Sequence, residues 1–273
     1  MRSSVASRVL LLTSVALAAA ALGGCKTIGS TDTTGSISSS AQRTEAEWRR
    51  DSEALGDRFR ANPRDPDVAI RYAQALRATG QRAQAAAVLE TAALHNPENR
   101  ALLGAYGRAL ADTGNFKQAL EVLERAHSPD QPDWRILSVQ GAVMDQMGRH
   151  AEAQRYYASA LKIMPDEPSV LSNLGLSYAL SKDLRRAEET LRRAAASGAA
   201  DRRVRQNLAL VVGLQGRFPE AESIARAELP PDEAAANVAY LKQMLAQKGN
   251  ANFKKAIGSR TVQGLEPADE NGT

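Results

Sequence analysis

Cysteine and histidine are almost missing from this sequence. Its 273 residues contain one cysteine, Cys25, and three histidines, His95, His127 and His150, which lie 32 and 23 residues apart. A single thiol cannot form an internal disulfide, and histidines at these distances lack the spacing of a metal site. The sequence therefore predicts neither a disulfide scaffold nor a bound metal.

Aromatic residues and catalytic motifs are also scarce. Phe, Trp and Tyr make up 4% of the residues, although 43% are hydrophobic, so the interior must be built from leucine and small side chains. Such a composition favours closely packed helices and predicts an all-α protein. The sequence has no glycine-rich phosphate loop and no serine in a nucleophile elbow. We predict a protein that is not an enzyme and has no cofactor and no small-molecule substrate.

The N-terminus has the pattern of a signal sequence. Arg2 and Arg8 provide a positive start, and residues 9–22 are fourteen mostly apolar residues. That length is typical of a signal peptide and is short for a bilayer span. Leu22 and two glycines then lead directly into Cys25.

This arrangement around Cys25 resembles the bacterial lipobox, in which the cysteine receives a diacylglycerol and cleavage occurs before it. We predict a lipoprotein signal peptide over residues 1–24 and lipidation of Cys25. The alternatives are a chance cysteine beside an ordinary cleavage site and an uncleaved anchor. Two or three acyl chains would hold the protein stably on a membrane, because each buried methylene contributes about 0.8 kcal/mol.

Location and charge follow from the same segment. Lys26, in place of an aspartate, resembles lipoproteins sorted to the outer membrane, which implies its periplasmic face; sorting to the inner membrane stays open. Removing residues 1–24 takes away two arginines and no acids, which leaves 33 basic and 31 acidic residues. So small an excess does not favour nucleic acid as a partner.

Two segments precede the main body of the chain. Residues 25–43 are rich in Ser, Thr and Gly without apolar periodicity, which is typical of a flexible tether. Residues 44–63 contain Trp48, Leu55 and Phe59 at helical spacing and predict a capping helix or half repeat.

From residue 66 the chain repeats with a period of 34 and no insertion. Position 8 of this frame is small in every copy, position 20 is always alanine, position 27 is alanine in four copies, and position 15 is glycine in four copies. The five frames start at Pro66, Arg100, Trp134, Pro168 and Arg202. Position 15 holds Gly80, Gly114, Gly148, Lys182 and Gly216.

These identities at this period resemble the tetratricopeptide repeat (TPR). The resemblance implies a right-handed superhelical solenoid of about five repeats with flanking capping helices. The repeats cover residues 66–99, 100–133, 134–167, 168–201 and 202–235, the last of them divergent. Residues 232–247 are predicted to form the trailing capping helix, which an array needs because one repeat cannot bury its apolar face. Residues 248–273 are predicted to be a mobile tail.

The resemblance also implies a groove lined by the first helix of each repeat. Its N-terminal half is predicted to be mostly basic, through Arg71, Arg77, Arg108 and Arg135. Its C-terminal half is predicted to expose an apolar strip beside two asparagines, and these residues are Asn173, Leu176, Leu180, Asn207, Leu210 and Leu214. The strip would bind a partner segment.

Two points about this groove stay open in the sequence. The asparagines are as well suited to a structural role as to binding a peptide backbone, and the trailing cap or the tail could cover the leucines. A chaperone-type clamp for an acidic C-terminus needs Lys or Arg beside Asn at defined positions, and the match is incomplete.

The order of lipobox, tether and about five repeats resembles the TadD-type lipoproteins of tight-adherence (Flp) pilus assembly and the pilotins that assist secretins. The resemblance implies a lipid-anchored scaffold whose partners are pilus-assembly or secretin components. The alternative is a scaffold for outer-membrane protein insertion or cell-wall synthesis. Repeat motifs specify the fold and leave the partner undetermined.

Overall fold

A computed structural model describes residues 43–246, which form twelve α-helices and no strand. The predicted signal peptide, Cys25, nearly all of the tether and the predicted tail lie outside the described residues. The helices are α1 (Glu45–Ala61), α2 (Pro66–Ala78), α3 (Arg82–His95), α4 (Arg100–Asp112), α5 (Phe116–Ala126), α6 (Trp134–Gln146), α7 (His150–Ile163), α8 (Pro168–Leu180), α9 (Leu184–Ala195), α10 (Arg202–Leu214), α11 (Phe218–Arg226) and α12 (Pro231–Ala246).

Helices α2 to α11 form five consecutive pairs, and the first helix of each pair begins at position 1 of the 34-residue frame. The residue just before each of these helices accepts a hydrogen bond from a backbone N–H of the first turn through its side chain. This capping satisfies amides that have no partner inside the helix. The capping residues are Asp65, Asn99, Asp133, Glu167 and Asp201.

The turn inside each pair depends on position 15. Its four glycines have φ between 76° and 82°, and Lys182 takes the same left-handed conformation at φ 67°. In each turn the next residue donates its N–H to a carbonyl five residues earlier, as Asn115 does to Leu110 over 2.9 Å. This closes the first helix and reverses the chain, as in a left-handed C-terminal cap.

Small residues at position 8 allow the two helices of a pair to approach closely. A Cβ added at Gly107 would lie 2.5 Å from Leu123 Cγ, and one at Gly175 would lie 2.6 Å from Leu191 Cγ. The side chain that fills this space comes from position 24, and the backbone at position 20 lies close to it, since Ala119 O would be 3.3 Å from the Cβ added at Gly107. All five alanines at position 20 are fully buried.

The pairs stack so that each first helix also contacts the first helix of the next pair, from α2 through α10. No two second helices make a comparable contact within residues 43–246. The first helices therefore line the inner side of the array, and the second helices form its outer layer. Helix α1 packs on α2, where the rings of Phe59 and Tyr72 are 5.9 Å apart, and α12 packs on α10 and α11. The predicted all-α superhelical repeat fold is confirmed.

Candidate functional site

The inner face carries every groove residue predicted from the sequence, because frame positions 2, 5, 6, 9, 12 and 13 all lie on first helices. Its two halves differ in exposure. Among the predicted basic residues, Arg71 and Arg135 are exposed, and Arg77 and Arg108 are partly buried. Arg135 also lies over the ring of Trp134, with its guanidinium carbon 4.6 Å from the ring centroid.

Arg77 joins the first two repeats. Its Nε donates to Asp112 Oδ2, and the two side chains are 15% and 4% exposed. The pair is therefore screened little by solvent, and losing either partner would leave a charge in a poorly hydrated place. Arg77 thus holds α2 against α4 as well as contributing positive charge to the face.

Arg108 lies on α4 at position 9, and its Nε is buried without a hydrogen-bond partner. Burial and the positive charge of Arg77 lower the pKa of the Arg108 guanidinium to about 10, with a smaller contribution from Arg135. The carboxylates of Asp112 and Asp133 offset part of this shift. At neutral pH Arg108 is still protonated and carries its full charge.

The apolar strip predicted for the C-terminal half is not exposed, and this expectation was wrong. Leu176 has no exposed surface, and Leu180, Leu210 and Leu214 are 9%, 8% and 8% exposed. All four belong to one hydrophobic cluster that also contains Val238 and Leu241 of α12. They are buried because neighbouring first helices lie in contact here and α12 closes the end of the cluster.

Asn173 and Asn207 are also buried, and they connect adjacent repeats. Asn173 Nδ2 donates to Ser138 Oγ at 3.3 Å, and Asn207 Nδ2 donates to Ser172 Oγ at 2.9 Å. Both bonds join residues 35 apart, position 5 of one repeat to position 6 of the next. These contacts support the structural role that the sequence left open for the asparagines.

A polar cluster around Asp145 was missed in the sequence. Asp145 Oδ1 lies 2.8 Å from His150 Nδ1 and accepts from Ser177 Oγ at 2.8 Å, while Tyr157 donates to Oδ2 at 3.1 Å. Burial raises the pKa of the Asp145 carboxyl, and the hydrogen bonds from these partners oppose the shift. Burial also raises the pKa of the Tyr157 hydroxyl. The cluster ties α6 to α7 and α8.

The 32 residues between Asp145 and Ser177 differ from the spacing of 35 that joins the Asn and Ser pairs, so the sequence spacing did not indicate this contact. The arrangement does not make Ser177 a nucleophile, because its hydroxyl donates to the carboxylate, whereas an activated serine needs a neighbouring base such as histidine. The Asp145 cluster therefore acts as a structural tie.

Neither a metal site nor a membrane span is found in the described part of the chain. Residues 43–246 contain no group of three or more His, Cys, Asp or Glu side chains placed to hold a metal ion. No helix in the same range has the length and hydropathy needed to cross a bilayer.

Comparison with known proteins supports the fold assignment. The tetratricopeptide repeat family matches residues 76–142 and 146–211. PilW, described as a widely conserved type IV pilus biogenesis factor, has a crystal structure that is 18% identical, covering 71% of this chain and 91% of PilW at a TM-score of 0.58. No curated protein matches the sequence significantly.

Two further solved structures are similar to this chain. The APC/C hetero-tetramer Cut9–Hcn1 is 13% identical over 80% of this chain and 46% of that chain, with a TM-score of 0.59. PilF of Pseudomonas aeruginosa is 17% identical over 77% of this chain and 91% of its own, with a TM-score of 0.49. At these identities the likeness to PilW and Cut9–Hcn1, whose TM-scores exceed 0.5, establishes the fold alone. The chain therefore carries tetratricopeptide repeats and has the fold of a protein-interaction scaffold.

Proposed function

We propose that this array of tetratricopeptide repeats is a lipid-anchored scaffold on the periplasmic side of the bacterial outer membrane. Its partners would be components of Flp/Tad-type pilus or secretin assembly, so that it acts in the manner of a pilotin. The proposal joins the repeat array to the lipobox-like segment that ends at Cys25. Anchoring would confine the scaffold to the membrane where a secretin assembles and raise its effective concentration there.

The observation that carries the proposal is a five-repeat array closed by a helix at each end, with charged side chains exposed on the inner face of its N-terminal half. Arrays of this kind bind extended or helical segments along their inner face. The match to PilW over 91% of that protein favours pilus biogenesis among the possible machines.

The buried leucines change where the partner should bind. With Leu176 and Leu210 inside the hydrophobic cluster, the surface available to a partner lies toward Arg71 and Arg135. We therefore place the partner-binding surface on the N-terminal half of the inner face, on the exposed side of α2, α4 and α6. Lysine and arginine on such a surface accelerate encounter with acidic partners and set their orientation.

Co-purification from cells tests this function. The full chain carrying Arg71→Glu and Arg135→Glu should lose pilus or secretin components that the wild type retains, and the cells should assemble fewer pili. Arg155→Glu makes the same charge change on an exposed residue of α7, in the outer layer, and should leave capture intact. Capture of outer-membrane insertion or cell-wall synthesis proteins, without any pilus or secretin component, would overturn the proposal.

Lipidation has its own test. Metabolic labelling with a fatty-acid analogue should mark the wild-type chain and leave Cys25→Ser unlabelled. The Cys25→Ser chain should still bind its partner in solution but fail to support assembly in the cell. Equal labelling of both chains would end the lipoprotein proposal and leave the binding surface untouched.

A further inference from the structure

Within residues 43–246, the inner face contains one buried guanidinium nitrogen that has no hydrogen-bond partner. Arg108 Nε is buried and has no hydrogen-bond partner, and no carboxylate within the described residues forms an ion pair with this side chain. Arginine is rarely buried without a partner, because its charge loses hydration and gains nothing in return. An unpaired arginine of this kind indicates a missing anion.

The carboxylates near Arg108 already have partners. Asp112 accepts from Arg77, its counterpart on α2. Asp133 caps α6 and accepts from the backbone amides of Arg135 at 2.7 Å and Ile136 at 3.4 Å. Within the described residues neither carboxylate forms an ion pair with Arg108, although both attract its positive charge.

The positive charge of Arg108 defines the chemistry of a ligand that could bind there. A guanidinium presents a planar fork of N–H donors that matches a carboxylate in two parallel hydrogen bonds. Asp112 and Asp133 lie close enough to influence Arg108 and would repel a second negative charge nearby. This spacing of charges suits one carboxylate and disfavours a continuous polyanion such as nucleic acid, which needs a row of uncompensated cations.

We propose that Arg108 binds the carboxylate of an aspartate or glutamate side chain within a segment of the partner protein, with Arg77 and Arg135 flanking it. The proposal rests on the scaffold function above and specifies that the partner segment is acidic. It also assigns Arg108 to binding, because a residue kept for stability would have its hydrogen bonds satisfied by the fold.

Thermal unfolding of the full chain separates binding from stability. Arg108→Met keeps the length of the side chain and removes the uncompensated charge, so Tm should rise by about 2–4 °C for a chain of this size. Arg77→Met breaks an ion pair that is satisfied in the fold, so its Tm should fall. If Arg108→Met lowered Tm as much as Arg77→Met does, Arg108 would be a structural residue and the proposal would be wrong.

Peptide binding tests the ligand directly. The probe is an array of decapeptides with amidated C-termini, in which each peptide with a central Asp or Glu is matched by one with Asn or Gln. The wild-type full chain in detergent should bind its best acidic peptides at least tenfold more tightly than their amide partners. Arg108→Gln should remove this preference. Arg155→Gln, at an exposed arginine of α7 in the outer layer, should weaken the same peptides less than twofold.

Several results would overturn the proposal. They are equal binding of acidic and amide peptides, an unchanged preference in Arg108→Gln, and tighter binding of a 20-nucleotide single-stranded DNA that is lost in the same variant. Failure here is distinguishable from failure of the proposed function. Capture of pilus components without acid preference would refute only the Arg108 site, and acid preference without pilus components would refute only the assigned machine.

Discussion

Equivalent positions on the inner face serve different purposes in its two halves. Position 9 holds Gln74 and Arg108 in the first two repeats and Leu176 and Leu210 in the fourth and fifth. The first pair is exposed or partly buried and bears polar groups, whereas the second pair is buried in a hydrophobic cluster that reaches α12. The repeat frame thus sets where a side chain lies, and the packing of neighbouring repeats decides whether a partner can reach it.

The contrast at position 9 predicts the largest effect. Leu176→Glu places a carboxylate where the leucine has no exposed surface, and it should cost about 4 kcal/mol of unfolding free energy. For a chain of this size that corresponds to a fall in Tm of about 8–16 °C. Gln74→Glu, at the same position in the first repeat, should change stability by less than about 0.5 kcal/mol. Circular dichroism melts that are equal for the two variants would refute the difference in packing.

A second effect concerns ties between repeats in the N-terminal half. Asp112→Asn removes the carboxylate that pairs with Arg77 and also lies near Arg108, and it should cost about 2 kcal/mol. The matched control is Glu189→Gln, which breaks the Arg185–Glu189 pair on the outer layer, where both side chains are well exposed. That change should cost about 0.3 kcal/mol. Urea denaturation of both variants measures the difference, and a similar midpoint for the two would contradict it.

Position 6 offers a third comparison. Asn173→Ala removes the amide that donates to Ser138 and should destabilise the fold by about 1 kcal/mol while leaving partner capture unchanged. Arg71→Ala, at position 6 of the first repeat, should leave stability nearly unchanged because Arg71 is exposed. If Asn173→Ala kept wild-type stability and no longer captured the partner protein, Asn173 would be a binding residue and not a structural one.

The smallest effect lies in the turns. Repeats 1, 2, 3 and 5 have glycine at position 15, whereas the fourth repeat holds Lys182 in the same left-handed conformation. Lys182→Gly relieves the clash that a Cβ suffers there and should stabilise the fold by about 0.5–1 kcal/mol after the entropic cost of glycine. Gly148→Ala should produce a loss of similar size. A lower Tm for Lys182→Gly would show that the lysine side chain makes a contact that outweighs the strain.

Much of the fold could be predicted from the sequence because the repeated residue types reflect requirements of the backbone. A small residue at position 8, present in five copies, and a glycine at position 15, present in four, each meet a local requirement that few other residues satisfy. Held in one register, they determine where helices begin and turn. Side chains that accept a hydrogen bond from the first turn stand just before each first helix, as Asp65 and Asn99 do. They were an equally regular signal, and the assignment of the repeats did not use them.

The candidate site was predicted less well because it depends on contacts between repeats. The repeat frame correctly placed Leu176 and Asn173 on first helices. It does not show how closely the neighbouring first helices pack, and that close packing buries both side chains. Likewise, Asp112 could have paired with any of three nearby arginines, and only the structure shows that Arg77 takes it and leaves Arg108 unpaired. A spacing of 35 between polar residues is the sequence signal for such ties.

In-cell photo-crosslinking tests the central claim, that partners bind the N-terminal half of the inner face, most directly. Gln74 of the full chain is replaced by p-benzoylphenylalanine, and Ala158, an exposed residue of α7 on the outer layer, is replaced in a parallel strain. We expect the probe at position 74 to crosslink to a pilus-assembly or secretin component and the probe at position 158 to give no such product. Crosslinks to that component from position 158 alone, or none from position 74 in cells that assemble pili, would contradict the account.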